Sequence, residues 1–176
     1  MTQAVFGEGP ETDVDIMLVG EQPGDKEDLA GKPFVGPAGL MLDKALQDLG
    51  IGRNKLYVTN AVKHFRWTAK GKRRIHQTPR ASEIRACQPW LEAEIDAVRP
   101  RLLVALGAVA VSSLLGTRAK VTTHRGQVVE GDYGPCLVTT HASSIIRVED
   151  PHERGAAYAI FLSDLHQGLS FLKRTA

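Results

Sequence analysis

DVDIMLVGEQPGD, residues 13–25, is the stretch that decides the fold: a short apolar run stops at Gly20 and leads into a turn rich in glycine and proline. A continuous apolar run of this length is typical of a strand that is buried on both faces of a parallel sheet. Ligands of such sheets bind beyond the carboxyl ends of the strands. The polar residues after Gly20 are therefore candidates for a functional site.

Strands and helices alternate along the rest of the chain. Apolar runs predict further strands at 55–62 and 101–107, and a hairpin that turns at 131–134 predicts a last strand at 136–141. Helical spacing of apolar residues predicts helices at 36–50, from Thr78 and Pro79 onward, at 108–116 and at 156–172. Pro89 is expected to kink the second of these helices or to mark a second start. The alternation indicates an α/β fold with a mostly parallel sheet covered on both faces, in a single domain over residues 1–176.

Composition excludes several classes of protein. The net charge is only +2, so attraction to nucleic acid would have to come from local clusters of charge. No apolar run approaches the roughly 20 residues that span a bilayer, and the first ten residues do not resemble a signal peptide. The two cysteines, Cys87 and Cys136, cannot form a disulfide framework. We therefore expect a cytoplasmic protein without a membrane segment.

Polar groups follow three of the predicted strands where these end. They are Glu21, Gln22 and Asp25 after the first strand, Asn60 at the end of the second, and His141, Ser143, Ser144 and Arg147 after the last. Each group also has a purely structural interpretation, as a tight turn, a turn former or a packed histidine. The alternatives are that the Asn60 amide reads the edge of a pyrimidine and that the hydroxyls and Arg147 contact phosphate. Three such groups at one edge of a sheet favour a functional site over three separate structural roles.

Two loops offer less specific signals. Phe34, in PFVGPAG (33–39), is either an anchor packed on the core or a ring exposed at the rim that stacks on a base. The glycines of GEQPGD (20–25) match neither GxGxxG nor GKS/GKT, which excludes a Rossmann or P-loop site.

The segment KGKRRIHQTP, residues 70–79, belongs to the most basic part of the chain. Five cationic side chains and no acid lie between Arg66 and Arg74, just before His76. A basic loop is most often a solvated face and its histidine a bystander. The alternative is that Lys72, Arg73 and Arg74 hold DNA, while nearby cations keep the imidazole in its neutral, nucleophilic form.

Six segments in this order resemble the UdgX type of uracil-DNA glycosylase, a family-4-like group. They are GEQPGDKED, PFVGPAG, VTNAVKHF, KRRIHQTP, ACQPWL and HASSIIR, and the resemblance covers nearly the whole chain. KRRIH is the most specific of them, because ordinary family-4 glycosylases lack that insertion. The resemblance implies a three-layer α/β/α sandwich around a central four-stranded, mostly parallel sheet. One departure is Ala142, where most relatives have proline after the histidine.

The resemblance also implies how the reaction would proceed. Uracil would be flipped out of DNA, stacked on Phe34, paired with Asn60 and held by the main chain near Gln22 and Asp25. His141 would then stabilise the departing uracil anion.

The KRRIH histidine, here His76, would capture the sugar and stay bonded to the deoxyribose. Glu21 would orient or deprotonate it, and Arg74 with its neighbours would keep the loop closed.

The resemblance implies a [4Fe–4S] cluster, for which His64 and Cys87 match two ligand positions. A CxxC pair would lie just before the segment TQAVFG, where this chain starts. Because two ligands do not hold such a cluster, we expect none unless a CxxC segment is supplied. Cys136 matches no ligand position.

The function expected from the sequence is thus a uracil-DNA glycosylase that becomes covalently linked to DNA through His76. We expect it to act as a monomer and to accept single-stranded DNA. The alternatives are an ordinary glycosylase that uses water, a non-catalytic module for uracil or damaged DNA, and a site for a free nucleotide.

Overall fold

The computed structural model describes residues 2–176. Its strands are β1 (Ile16–Gly20), β2 (Tyr57–Asn60), β3 (Trp67–Lys70), β4 (Arg73–His76), β5 (Leu102–Leu106), β6 (Val128–Gly131) and β7 (Gly134–Thr139). Its helices are α1 (Asp25–Ala30), α2 (Pro37–Asp48), α3 (Ala81–Val98), α4 (Ala108–Leu115), α5 (Val121–His124), α6 (Ala142–Ile146) and α7 (Pro151–Arg174), with a short 3₁₀ turn at Arg53–Lys55. None of the helices in residues 2–176 is both long and apolar enough to span a bilayer.

The central sheet has the strand order β2-β1-β5-β7-β6. Strands β2, β1, β5 and β7 are parallel, which confirms the predicted α/β fold and its mostly parallel sheet. The fifth strand, β6, pairs antiparallel with β7 and is the first arm of the predicted hairpin. The sheet therefore has five strands rather than four.

Helices cover both faces of this sheet. Alternate residues of β1 separate the two sides: Met17 and Val19 pack with α3 and α4, whereas Ile16 and Leu18 pack with α2 and α7. The two apolar clusters account for the continuous apolar sequence of the strands, since both strand faces are buried. The three-layer arrangement agrees with the expected sandwich.

Two local predictions were wrong, and one of the two alternatives for Pro89 is excluded. Helix α3 begins at Ala81, so Thr78 and Pro79 do not start it; instead the Arg80 N–H donates to Glu83 Oε2 over 2.6 Å. Pro89 lies inside this single helix, as the first alternative predicted, and marks no second start. The basic segment is an antiparallel hairpin, in which Trp67 pairs with His76 and Lys70 with Arg73, rather than a loop.

Candidate active site

A pocket of about 460 Å³ opens at the carboxyl ends of the parallel strands. This volume suits a small ring-shaped ligand. Nine of the side chains predicted for the site line it: Glu21, Gln22, Asp25, Phe34, Asn60, His76, His141, Ser143 and Arg147. Strands β1 and β2 and the segment after β7 supply most of them, because the ends of parallel strands meet at one edge. The hairpin adds His76 from outside the sheet.

Glu21 and His76 face each other at the mouth of the pocket. The distance from His76 Nε2 to Glu21 Oε1 is 3.0 Å, and the two side chains are 46% and 27% exposed. Among the described residues, no group donates a well-aligned hydrogen bond to this buried carboxylate oxygen. The carboxylate is therefore placed to orient the imidazole or to accept a proton from it.

His141 caps the start of α6 and turns one ring nitrogen toward the pocket. Its Nδ1 accepts from the Ser143 N–H over 3.1 Å, which assigns the ring proton to Nε2. Burial lowers the pKa of His141 to about 4, although the nearby Glu21 carboxylate acts in the opposite direction. At neutral pH the ring is thus an uncharged donor, with its N–H available to a ligand.

Gly20 marks the place where three pocket side chains meet. A Cβ added there would lie 2.4 Å from Asn60 Oδ1, 2.7 Å from Phe34 Cζ and 3.3 Å from His141 Nε2. The end of β1 therefore accepts only glycine without displacing the pocket wall. The sequence around Gly20 predicts only the end of a strand, because close approach of side chains from distant segments leaves no local signal.

Phe34 is both a core anchor and a pocket wall. The ring is 3% exposed and packs with the α2 and α7 cluster, so it is not exposed at the rim as the functional alternative supposed. It also stacks near His141, with ring centroids 6.1 Å apart and planes at 23°. Its φ of 53° lies in the left-handed region, which costs a residue other than glycine about 1–3 kcal/mol.

The Gln22 side chain fastens the basic hairpin to the pocket. Its Nε2 donates to the Gln77 carbonyl over 3.0 Å, and its Oε1 accepts from the Arg66 N–H over 3.0 Å. Only the main chain of Gln22 is left for a ligand, as the resemblance implied.

Arg74 is bound internally rather than presented to solvent. Its Nη1 donates to Asp28 Oδ2 over 2.6 Å and its Nε to Asp25 Oδ1 over 2.5 Å. The guanidinium also lies over the rings of Phe65 and Trp67. Hydrogen bonds, to Asp28 first and then to Asp25, raise the pKa of Arg74. Because its donors are engaged, we assign Arg74 to closing the hairpin and not to the expected phosphate contact.

The remaining cations and hydroxyls lie at the tip of the hairpin and in the segment after β7. Lys72 and Arg73 are exposed at the tip of the hairpin. Arg147 donates to Ser143 Oγ over 3.1 Å, and Ser144 Oγ donates to the His141 carbonyl over 2.7 Å. Lys72, Arg73, Ser144 and Arg147 are all exposed and thus accessible to a phosphate backbone.

His64 and Cys87 lie together in a second cavity, which Thr2 also lines. His64 is exposed, whereas Cys87 is buried with its Sγ 3.4 Å from the Lys63 backbone nitrogen. In residues 2–176 no three histidine, cysteine or acidic side chains are grouped so that they could hold a metal. These two residues alone do not fit a [4Fe–4S] cluster.

Comparison with known proteins assigns the family. Residues 6–166 match the model of the uracil DNA glycosylase superfamily. The chain is 35% identical to the type-4 uracil-DNA glycosylase of Thermotoga maritima over 175 residues, which cover 98% of this chain and 85% of the relative. It is 37% identical to the type-4 enzyme of Pyrobaculum aerophilum over 82% of this chain and 74% of the relative. A type-5 uracil-DNA glycosylase of the latter organism is 35% identical over 65% of this chain and 54% of that relative. The chain, with its pocket at the ends of the parallel strands, thus belongs to the uracil DNA glycosylase superfamily.

Proposed function

We propose that this protein excises uracil from DNA and then remains covalently bonded to the abasic deoxyribose through His76. The observation that carries the proposal is the 3.0 Å contact between His76 Nε2 and Glu21 Oε1 at the mouth of the pocket that Asn60 and His141 line. An imidazole next to a carboxylate is an arrangement that activates nucleophiles. The names of the relatives, type-4 and type-5 uracil-DNA glycosylases, support uracil as the base.

Recognition of the base uses the buried end of the pocket. The Asn60 amide offers one donor group and one acceptor to the edge of a flipped uracil, and Phe34 offers an apolar ring. Lys63 Nζ donates to the Asn60 carbonyl over 2.6 Å and fixes the backbone that carries this amide. A base that cannot match the amide would leave a buried polar group unpaired, which is how such a site discriminates.

Cleavage of the glycosidic bond leaves a uracil anion and a sugar with oxocarbenium character. The electron pair of the C1′–N1 bond departs with uracil N1, and its charge spreads onto the carbonyl oxygens. The neutral His141 ring donates its Nε2 proton in a hydrogen bond to one of these oxygens. The role of His141 in this proposal is therefore electrostatic, and no proton needs to leave its ring.

Capture of the sugar uses the hairpin. A ring nitrogen lone pair of His76 forms the new bond to C1′, and the Glu21 carboxylate accepts the ring proton as the imidazole is alkylated. Charge is balanced, because one proton moves to the carboxylate while the departing uracil anion carries the electron pair of the broken bond. Arg74 keeps β4 against α1 throughout.

A second candidate is an ordinary glycosylase in which water attacks C1′. One observation favours it: Glu21 Oε1 has no aligned hydrogen bond from His76, so that the same carboxylate can direct a water molecule. A purely binding module is disfavoured, because binding alone would need neither Glu21 nor two imidazoles at the pocket.

The proposal also covers the cofactor, the cellular compartment and the oligomeric state. His64 and Cys87 would supply two ligands of a [4Fe–4S] cluster only if a CxxC segment were added to this chain, and no step above uses a cluster. Two buried free cysteines suit a reducing compartment. Action as a monomer and acceptance of single-stranded DNA complete the proposal.

The proposal is tested with a uracil-containing oligonucleotide in single- and double-stranded form. We expect wild-type protein to release free uracil and to give a slower-migrating protein–DNA band on a denaturing gel. Asn60→Ala should lose both by a large factor while binding uracil-free DNA as well as the wild type does. Release of uracil without a retarded band would support the water mechanism. No release at all, with DNA binding intact, would contradict both.

A further inference from the structure

Two charged side chains bind the backbone of the loop that carries Phe34. The guanidinium of Arg53 donates from Nη2 to the Pro33 carbonyl over 2.7 Å and from Nη1 to the Phe34 carbonyl over 2.8 Å. Glu27 Oε1 accepts from the Gly36 N–H over 3.1 Å. A cation thus binds the carbonyls of this loop and an anion binds its N–H. These are charge-assisted hydrogen bonds, which are stronger than neutral ones.

The loop needs such support, because its conformation is unfavourable and tightly fitted. Phe34 has a φ of 53°, which aromatic residues rarely adopt. A Cβ on Gly39 would lie 1.9 Å from the Phe34 carbonyl oxygen, so helix α2 begins directly against the loop. Strained backbone persists only where surrounding contacts determine it, and it is concentrated at functional sites.

Arg53 connects this loop to the strand that ends in the other base contact. It lies in the 3₁₀ turn Arg53–Lys55, immediately before β2, and β2 ends at Asn60. Asp43 of α2 steadies the guanidinium, with Oδ1 3.1 Å from Nη1. One side chain therefore ties the position of the Phe34 ring to the element that carries the Asn60 amide.

We propose that Arg53 is a positioning residue for uracil, which acts through Phe34 by holding the ring at the distance from Asn60 and His141 that the base requires. Arg53 does not line the pocket, so it has no contact with the base itself. The inference rests on the proposed function, because it assigns Arg53 to the stacking of uracil on Phe34. It goes beyond that function by naming a residue outside the pocket that sets the geometry within it.

The chain provides a matched control. Arg101, which precedes β5 at the end of the sheet remote from the pocket, donates to Asp15 Oδ1 over 3.1 Å and to the Leu172 carbonyl over 3.0 Å. Its partly exposed side chain binds one carboxylate, one carbonyl and, over 3.4 Å, the Thr175 hydroxyl, whereas Arg53 binds one carboxylate and two carbonyls. Loss of either arginine removes comparable bonds, but only Arg53 is connected to the pocket.

The test compares Arg53→Met, Arg53→Lys, Arg101→Met and Phe34→Ala in single-turnover uracil release, inhibition by free uracil and thermal unfolding. We expect Arg53→Met to slow release by about 10- to 100-fold, which is the range that small misplacements cost, and to weaken inhibition by uracil. Affinity for DNA with a stable abasic analogue should not change. The release rate of Arg53→Lys should lie between those of the wild type and Arg53→Met, since one ammonium group cannot bind both carbonyls in the planar geometry of a guanidinium. Arg101→Met should affect only unfolding.

A double variant decides whether Arg53 acts through Phe34. If it does, Arg53→Met should cost little more in a Phe34→Ala background, because the ring to be positioned is gone. Fully additive losses, or an Arg53→Met variant that behaves as Arg101→Met does, would overturn the inference. If Phe34→Ala released uracil at the wild-type rate, the proposed role of the ring would fail as well, and Arg53 would have nothing to position. If Arg53→Met does not fold, Asp43→Asn provides the same comparison with a smaller change.

Discussion

Arg74 Nη1 lies 2.6 Å from the buried Asp28 Oδ2, and this ion pair joins the basic hairpin to helix α1. His76 follows two residues later in the same strand, so both side chains lie on the same face of β4. The position of His76, the proposed nucleophile, next to Glu21 therefore depends on the Asp28 carboxylate, which binds Arg74 and not His76. Gln22 provides a second attachment at the open end of the hairpin.

Loss of the Arg74 attachment should separate the two chemical steps. We expect Arg74→Met to slow formation of the covalent band by about tenfold or more, because a displaced imidazole loses its near-attack position. Uracil release should change much less, since Asn60 and His141 belong to the central sheet and its connections. Arg118→Met is the control, because it removes an exposed ion pair with Asp132 outside the hairpin. Equal slowing of both steps in Arg74→Met would show that the hairpin acts on uracil release too.

The tip of the hairpin should contribute to binding of the DNA backbone. Lys72→Ala and Arg73→Ala should each weaken binding equally across sequences and reduce the salt slope by about 1, as the loss of one phosphate contact does. Lys173→Ala, in the last turn of α7, is the control at the far end of the sheet. Binding measured against salt concentration gives the slope. An unchanged slope in both tip variants would place the DNA elsewhere.

Much of the fold could be predicted from the sequence, because it depends on local patterns. The apolar run of β1 and the hairpin at 131–134 both appear where expected. Strands β3 and β4 could not be predicted, since they are short, largely exposed and paired only with each other. Their placement depends on Gln22 and Asp28, which are distant in sequence.

The candidate site, like the fold, could be predicted only in part. Convergence of Glu21, Asn60 and His141 follows from the rule that parallel strands end at one edge. The positive φ of Phe34 and the internal pairing of Arg74 could not be read from the sequence, because both depend on side chains that fold against them from elsewhere. Sequence patterns indicate which residues reach a site, whereas tertiary contacts determine how each of them is used.

Gly20 should be indispensable to the pocket. In Gly20→Ala the new methyl carbon would lie 2.4 Å from the Asn60 amide oxygen and 2.7 Å from Phe34 Cζ, which is too close for either contact. We expect uracil release to fall by at least about 100-fold, since overpacking shifts the groups that read the base. Gly155→Ala is the control, because a Cβ there meets nothing within 4 Å. Wild-type release by Gly20→Ala would show that the base binds elsewhere.

His141 makes stability depend on pH in a defined window. Burial lowers its folded-state pKa to about 4 from 6.5, so the unfolded chain binds more protons between these values. Acidification from pH 6.5 to 4 should therefore lower the free energy of unfolding by up to about 3 kcal/mol through this residue, and the effect should fade as the pH rises above 6.5.

Urea unfolding at pH 7 and pH 5 measures this effect. His141→Gln should lose much of the difference between the two pH values, whereas His152→Gln, at an exposed position at the start of α7, should keep it. Because the ring stays neutral, uracil release by the wild type should show no decline from His141 protonation between pH 7.5 and 5.5. An unchanged pH dependence of unfolding in His141→Gln would contradict the assigned pKa.

Covalent capture by His76 is the central claim, and a denaturing gel combined with peptide mass spectrometry tests it most directly. Wild-type protein incubated with a uracil-containing oligonucleotide should give a band that survives boiling in detergent, and digestion should locate a deoxyribose adduct on His76. His76→Ser should lose this band yet still release uracil, because water can enter the vacated space and attack C1′. Glu21→Gln should form the band more slowly, since the amide cannot accept the ring proton. A retarded band that persists in His76→Ser, or an adduct on any other residue, would contradict the claim.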